Sequence, residues 1–363
     1  MKIILDIMGG DNAPSATLIG LLEACRTWQN VGFIAVGNED TIKQTAEEMN
    51  LSLSLPNLTL VSAPSVITME DAPLSVVREK NDSSMALGLR MLAEGEGDAF
   101  VSAGNTGALH AGSTLIVRRI RGVRKSGIAS ILPLSKPMLL MDSGANLELK
   151  PEEYIQFAKM GSVYMKGLFH IENPTVGLFN NGTEPTKGPA SLQEVYKLLK
   201  NADGVNFIGN IEGKDVPWGK CDVLVTDGFT GNAVLKTAEA MGSFFFAKLK
   251  EIAGKNAKTK AAGLMLKSEL KAVKKQVDPS EYGGAPLLGL SKPVIKAHGS
   301  SDPTAIFNAI RQAIGFVQSG VTYEIAEMIA GESKPAKAET ADVSGDSKAG
   351  SEPEAKKEAT ANE

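Results

Sequence analysis

Lys2-Ile3-Ile4-Leu5-Asp6-Ile7-Met8-Gly9-Gly10-Asp11 passes from a short apolar run into a Gly-Gly turn, and residues 15–25 follow with helical spacing. The apolar run Ile3-Ile4-Leu5, broken by Asp6 and resumed at Ile7, is too short for a buried helix and of the right length for a strand. The segment therefore reads as strand, turn, helix. The same grammar recurs, with strands expected at Ile3–Ile7, Gly32–Val36, Leu58–Val61, Ala99–Ser102, Met138–Asp142, Thr175–Leu178, Asn206–Gly209 and Val223–Thr226. Helices are expected at Ser15–Cys25, Asp40–Met49, Met85–Ala93, Pro151–Lys166, Ala190–Leu199, Ala233–Ile252 and Thr304–Ser319. Alternation of this kind predicts an α/β fold with a mostly parallel sheet and helices on both faces.

With 363 residues, 43% hydrophobic and 22% charged, the chain can bury a sizeable core, which excludes collagen-like and wholly disordered classes. A formal charge of −4 argues against a globally basic nucleic-acid binder. The start lacks the length and cleavage site of a signal peptide. Nowhere do 18 apolar residues run together, so no spanning helix is expected. Two isolated cysteines, Cys25 and Cys221, fit a reducing, cytoplasmic setting. Residues 331–363 hold no aromatic and one large aliphatic, Val343, and read as a disordered tail after a single domain spanning 1–330.

In open parallel sheets ligands bind beyond the carboxyl ends of strands. Here those positions are rich in Gly, Asn, Ser and Asp. Asp6, Gly9, Gly10 and Asp11 follow the first strand, and Ser102, Gly104, Asn105, Thr106 and Gly107 follow another, which suits an oxyanion held by backbone N–H groups and hydroxyls. Neither loop has the spacing of a dinucleotide fingerprint or a Walker loop. Asp142-Ser143-Gly144-Ala145-Asn146 and Asp227-Gly228-Phe229-Thr230-Gly231-Asn232 share one pattern, and Lys187 lies in the polar loop 180–188. All are expected to converge on one crevice, with Asp227 among the anion-binding set and Lys187, Asn232 and His298 as candidates to stabilise a developing oxyanion. In His298-Gly299-Ser300-Ser301-Asp302-Pro303, Ser301 or Asp302 is expected to cap the next helix rather than join a nucleophilic triad. His110, His170 and His298 are scattered relative to the cysteines, so no metal site is expected, nor any cofactor.

Two segments are strongly basic. Residues 254–277 carry seven Lys against Glu269, with Leu266, Leu270, Val273 and Val277 in one helical stripe and Leu264 and Met265 ahead of it. This reads as a membrane-surface element facing anionic lipid through Leu264, Met265, Leu266, Leu270 and Val273. Residues 118–125 pack Arg118, Arg119, Arg121, Arg124 and Lys125 into eight positions, which suits an acidic partner or a helix end.

In order along the chain, the motifs at 6–11, 78–85, 101–108, 142–146, 182–188, 209–213, 227–232, 283–289 and 298–302 resemble the phosphate acyltransferase family of bacterial phospholipid synthesis. The resemblance implies a Rossmann-like fold related to isocitrate/isopropylmalate dehydrogenases and phosphotransacetylases, with the basic segment as a protruding amphipathic helical hairpin. It also implies transfer of a fatty acyl group from acyl carrier protein to inorganic phosphate, giving acyl phosphate. A homodimer, peripheral contact with the inner face of the membrane, and a membrane glycerol-3-phosphate acyltransferase as consumer of the product come with it. Two other readings use the same residues: a phosphotransacetylase-like enzyme taking acyl-coenzyme A, and a noncatalytic scaffold that binds acyl carrier protein.

Overall fold

The structure, a computed structural model, describes residues 1–276 and 279–332. Val277 of the apolar stripe and nearly all of the expected tail lie outside the described residues. The strands are β1 (Lys2–Asp6), β2 (Gly32–Gly37), β3 (Leu58–Ser62), β4 (Ala99–Ser102), β5 (Gly127–Pro133), β6 (Pro137–Met141), β7 (Thr175–Phe179), β8 (Asn206–Ile211), β9 (Val223–Val225), β10 (Ala285–Leu288) and β11 (Val294–Lys296). They form one sheet in the order β3-β2-β1-β4-β11-β10-β5-β6-β9-β7-β8. This bears out the α/β class and the mostly parallel sheet.

Period-2 alternation explains why β1 is apolar throughout. Ile3 and Leu5 join the cluster built with Leu18, Leu21, Ile306 and Ile310, whereas Ile4 joins Leu89, Met85 and Phe100 on the other face. Both faces are thus covered by helices, as a parallel strand requires. Each such side chain contributes about 1.5–3 kcal/mol by leaving water. The helix Pro303–Ser319 starts at Asp302, whose carboxylate accepts from Ala305 N at 2.8 Å, the cap expected from the sequence.

Chain direction changes in the middle of the sheet. β3, β2, β1, β4 and β11 are mutually parallel. β10, β5 and β6 then pair antiparallel in succession, and β9, β7 and β8 continue parallel to β6. Three reversals leave the second half running opposite to the first. Loops after β1, β4 and β11 therefore leave one end of the strands, and loops after β6, β7 and β9 leave the other. The expectation of a single rim is corrected by these reversals: β5, β10 and β11, absent from the strands expected from the sequence, carry the change of direction.

One element connects the two ends. The helix Gly228–Gly254 begins at Asp227, packs its first turn on the 142–146 loop and then leaves the body of the protein, burying only Gly228 and Gly231. A Cβ at Gly231 would lie 1.9 Å from the Asp142 carbonyl oxygen, so only glycine admits this approach. Beyond it the helix Ala257–Met265 folds back, capped by Asn256, and Lys267–Gln276 follows. The expected continuous stripe is interrupted. Leu266 caps the first of these helices, whereas Leu270 and Val273 lie on the next. At the turn, Leu264 is 71% and Met265 82% exposed, so the hairpin presents its apolar side chains at its tip. Among the described residues no helix is long and apolar enough to cross a membrane.

Candidate active site

Three loops interlock at the carboxyl ends of β1, β4 and β11. Asp6 is fully buried at the end of β1, and its carboxylate accepts from Ser84 Oγ and Ser102 Oγ, each at 2.7 Å, and from Met8 N at 3.2 Å. Burial pushes this carboxyl up, and the two hydroxyls and the backbone donors pull it part of the way back. Ser102 Oγ also accepts from Gly104 N at 3.0 Å, so one buried acid fixes both glycine loops. The loops touch. A Cβ on Gly9 would stand 2.6 Å from Asp6 Oδ2 and 2.8 Å from Gly104 N, and one on Gly10, which adopts φ +111°, would stand 3.1 Å from the Gly299 carbonyl oxygen. Asp11 N closes the third side by donating to Gly299 O at 2.8 Å.

Over these loops sits a cationic group. Lys296, last residue of β11, turns inward and donates to the carbonyls of Ala103, at 3.3 Å, and Ala297. Burial, then the neighbouring Lys236, pulls its ammonium down to about 8. It makes no ion pair among the described residues. Lys236 arrives from the helix Gly228–Gly254, its Nζ 3.1 Å from His298 Nε2 and 2.8 Å from Glu239 Oε2. His298 Nδ1 lies 2.8 Å from Ser300 Oγ. Ser300 N donates to the same Nδ1 at 3.3 Å, so both ring nitrogens are engaged, and desolvation followed by the neighbouring Lys236 holds the imidazole below its ordinary titration range. Asn232 is one helical turn before Lys236 and therefore on the same helix face.

Several sequence-expected residues thus meet: Asp6, Gly9, Gly10, Asp11, Ser102, Gly104 and His298, with Asn232 alongside. Their parts differ. Asn105 spends its side chain on structure, its Oδ1 capping Ala108 N at 3.0 Å and its Nδ2 donating to the carbonyls of Thr68, Met69 and Asp71. Thr106 and Gly107 form the first turn of the helix that Asn105 caps. Asp227 is likewise a cap, accepting from Thr230 N at 2.8 Å. Lys187 is exposed in the loop after β7, where Asn180 Nδ2 donates to its carbonyl at 3.2 Å. No hydrogen bond or ion pair among the described residues ties that loop to the cationic group. Sequence reasoning missed Lys296, Lys236 and Ser84. Lys296 left one signal, a charge at the end of the apolar run Pro293-Val294-Ile295.

Residues 1–324 match the model of a family described as fatty acid synthesis protein. The chain is 45% identical over 330 residues to the phosphate acyltransferase of Thermoanaerobacter pseudethanolicus, covering 91% of this chain and 97% of that one. It belongs to the phosphate acyltransferase family. The family's protein from Clostridium novyi is 43% identical over 330 residues, 91% of this chain and 98% of the relative. Among solved structures, the phosphotransacetylase from Streptococcus pyogenes superposes with TM-score 0.55 at 13% identity, over 88% of this chain and 94% of that chain. A structure assigned as a 4-hydroxythreonine-4-phosphate dehydrogenase from Salmonella typhimurium gives 0.50 at 11% identity, over 87% and 98%. At such identities the likeness concerns fold alone. It places the family among phosphotransacetylase-like and dehydrogenase-like architectures, as the sequence resemblance implied.

Proposed function

We propose that the protein transfers a fatty acyl group from the thioester of acyl carrier protein to inorganic phosphate, giving acyl phosphate for phospholipid synthesis. The observation that carries this reading is the grouping of Lys296, Lys236 and His298 over the Gly9–Gly10 and Ser102–Gly104 loops. An ammonium with no carboxylate at ion-pair distance among the described residues, beside backbone N–H donors, is suited to a small anion. Membership of the phosphate acyltransferase family supports the same reading.

Phosphate is already anionic near neutral pH, because its second ionisation falls near that of a phosphomonoester, about 6. No strong general base is required. Lys296 and the loop donors hold the anion, and one of its oxygens attacks the thioester carbonyl. Alignment of two bound reactants is worth about 7–11 kcal/mol in favourable cases. Asn232 and Lys236 supply donors to the oxygen on which charge develops, and His298, both of whose ring nitrogens are already engaged, holds the Lys236 ammonium in place. Collapse of the tetrahedral intermediate breaks the C–S bond and releases a thiolate, a good leaving group because a thiol has a pKa of about 8.5. Atoms balance as acyl phosphate plus free carrier thiol.

The wider reading is a catalytic domain over residues 1–330 that works as a homodimer in the cytoplasm. The hairpin at 254–277 rests on anionic lipid, where a membrane glycerol-3-phosphate acyltransferase can take the product. Incubating the purified protein with acyl carrier protein thioester and labelled phosphate tests the core of it. Thiol release that depends on phosphate, with labelled acyl phosphate formed, is the expected result. Turnover of acyl-coenzyme A alone would select the phosphotransacetylase-like reading, and no turnover of either would leave a scaffold. Lys187→Ala in the same assay decides whether the loop after β7 takes part.

A further inference from the structure

A cavity opens at the opposite ends of β4 and β11 from Ser102 and Lys296, between those strand ends and the last two helices. Its volume is about 490 Å³, inside the range of small-molecule sites. Three cations line it, Arg119, Arg121 and Lys292. None has an acidic partner among the described residues, in contrast to Arg124 and Lys125 of the same basic run, which pair with Glu152 at 3.1 Å and Glu153 at 3.4 Å. The one acid of the lining, Asp98, already accepts from Lys2 N at 2.8 Å. Between the cations the surface is mainly apolar, with Ser291 and Thr322 as its uncharged polar members. Ile120, Phe316, Val317 and Ala326 contribute to it, and Tyr323 stands at the edge, 68% exposed.

We propose that this cavity binds a single-chain anionic amphiphile, a phosphate or carboxylate headgroup on Arg121 and Lys292 with its hydrocarbon chain along Phe316, Val317 and Ala326. Charge alone would suit any anion, and the apolar lining selects one that carries a chain. Arginine's fork matches the planar edge of a carboxylate or two phosphate oxygens. A cavity of this size admits one chain and no bilayer, so the ligand is a dispersed monomer. The site is separate from the candidate active site and does not depend on the reaction proposed there.

Calorimetric titration of the full chain with dodecyl phosphate, below its micelle concentration and with phosphate saturating the Lys296 site, tests this. Wild type should bind with a measurable affinity. Arg121→Glu with Lys292→Glu, and separately Ala326→Trp, which fills the apolar floor without changing charge, should each weaken this binding at least about tenfold. Both variants should keep the wild-type melting temperature within a few degrees. Retained affinity in either folded variant overturns the proposal, as does displacement of dodecyl phosphate by dodecanol, which lacks the headgroup charge. Sedimentation with phosphatidic acid vesicles should be equal for wild type and the charge variant. Loss of vesicle binding in that variant would make the ligand a bilayer lipid and overturn the monomer.

Discussion

Replacing Lys296 with Met should stabilise the fold and cripple capture of phosphate. The lysine's titration falls from an ordinary 10.5 to about 8, which means the folded protein disfavours its charge. At 1.36 kcal/mol per pH unit that gap is about 3 kcal/mol, and partial solvent access brings it to about 1–2 kcal/mol. Between about 8 and 10.5 the unfolded chain holds a proton that the folded chain releases, so stability climbs with pH across that window. Below about 8 the whole cost is present. Lys296→Met should therefore raise the melting temperature at pH 7 by a few degrees, at about 2–4 °C per kcal/mol for a domain this large, and the gain should shrink towards zero near pH 10.5. The same variant loses an ammonium aimed at the anion, a loss worth about 10²–10³ in kcat/KM for phosphate if it is typical of preorganised donors. Lys296→Arg keeps charge at any working pH, so where wild type loses phosphate affinity as pH rises through about 8, the Arg variant should hold it. Melting curves at pH 7 and 10.5, with phosphate KM measured across pH 6–10, read all of this. Lys296→Met with wild-type phosphate kinetics, or with a lowered melting temperature at pH 7, would refute the reasoning.

Two further perturbations probe the frame and the hairpin. Gly9→Ala places a methyl 2.6 Å from Asp6 Oδ2 and 2.8 Å from Gly104 N, and should cost about 1–3 kcal/mol in chemical denaturation together with most of the acyl transfer activity. Wild-type behaviour would show that the two loops do not meet. Leu264→Glu, Met265→Glu and Leu266→Glu combined alter side chains that are 71%, 82% and 54% exposed, so stability should change by less than about 0.5 kcal/mol while co-sedimentation with anionic vesicles is lost. Undiminished co-sedimentation would reduce the hairpin to a packing element.

Most of the architecture is written in periodicity. β1, β2 and β4 are apolar runs bounded by polar turns because helices cover both of their faces, and that pattern is visible without coordinates. What escaped was the middle of the sheet. β10 has four residues and β11 three, the latter starting after Pro293 and ending on a charge, so neither offers enough positions for a pattern to emerge. β5 is buried along all seven residues, so it shows no polar–apolar alternation, and Ser130 interrupts its apolar run. Those three strands reverse the direction of the sheet, a property of pairing between distant segments that no local window contains.

The site inherits the same division. Loop glycines and the residues beside them were legible because a tight approach between backbones demands Gly whatever the fold, and Gly9 and Gly104 do meet. Assigning the positive charge was harder. Lys187 stood out because it sits in a polar loop, but polar loops are where an unburdened lysine is cheapest to keep. Lys296 was hidden in an apolar run, where the cost of burying it is largest and where the fold retains it against about 1–2 kcal/mol of its own stability. A charge held at that cost, with no carboxylate bridged to it among the described residues, beside three interlocked loops and a second lysine delivered from the other half of the sheet, has an obvious compensating partner in a bound anion. The physical signature of the site is therefore a buried ammonium that Asp11 and Asp6 compensate only in part, and the motif grammar that identified the family locates only the turns around it.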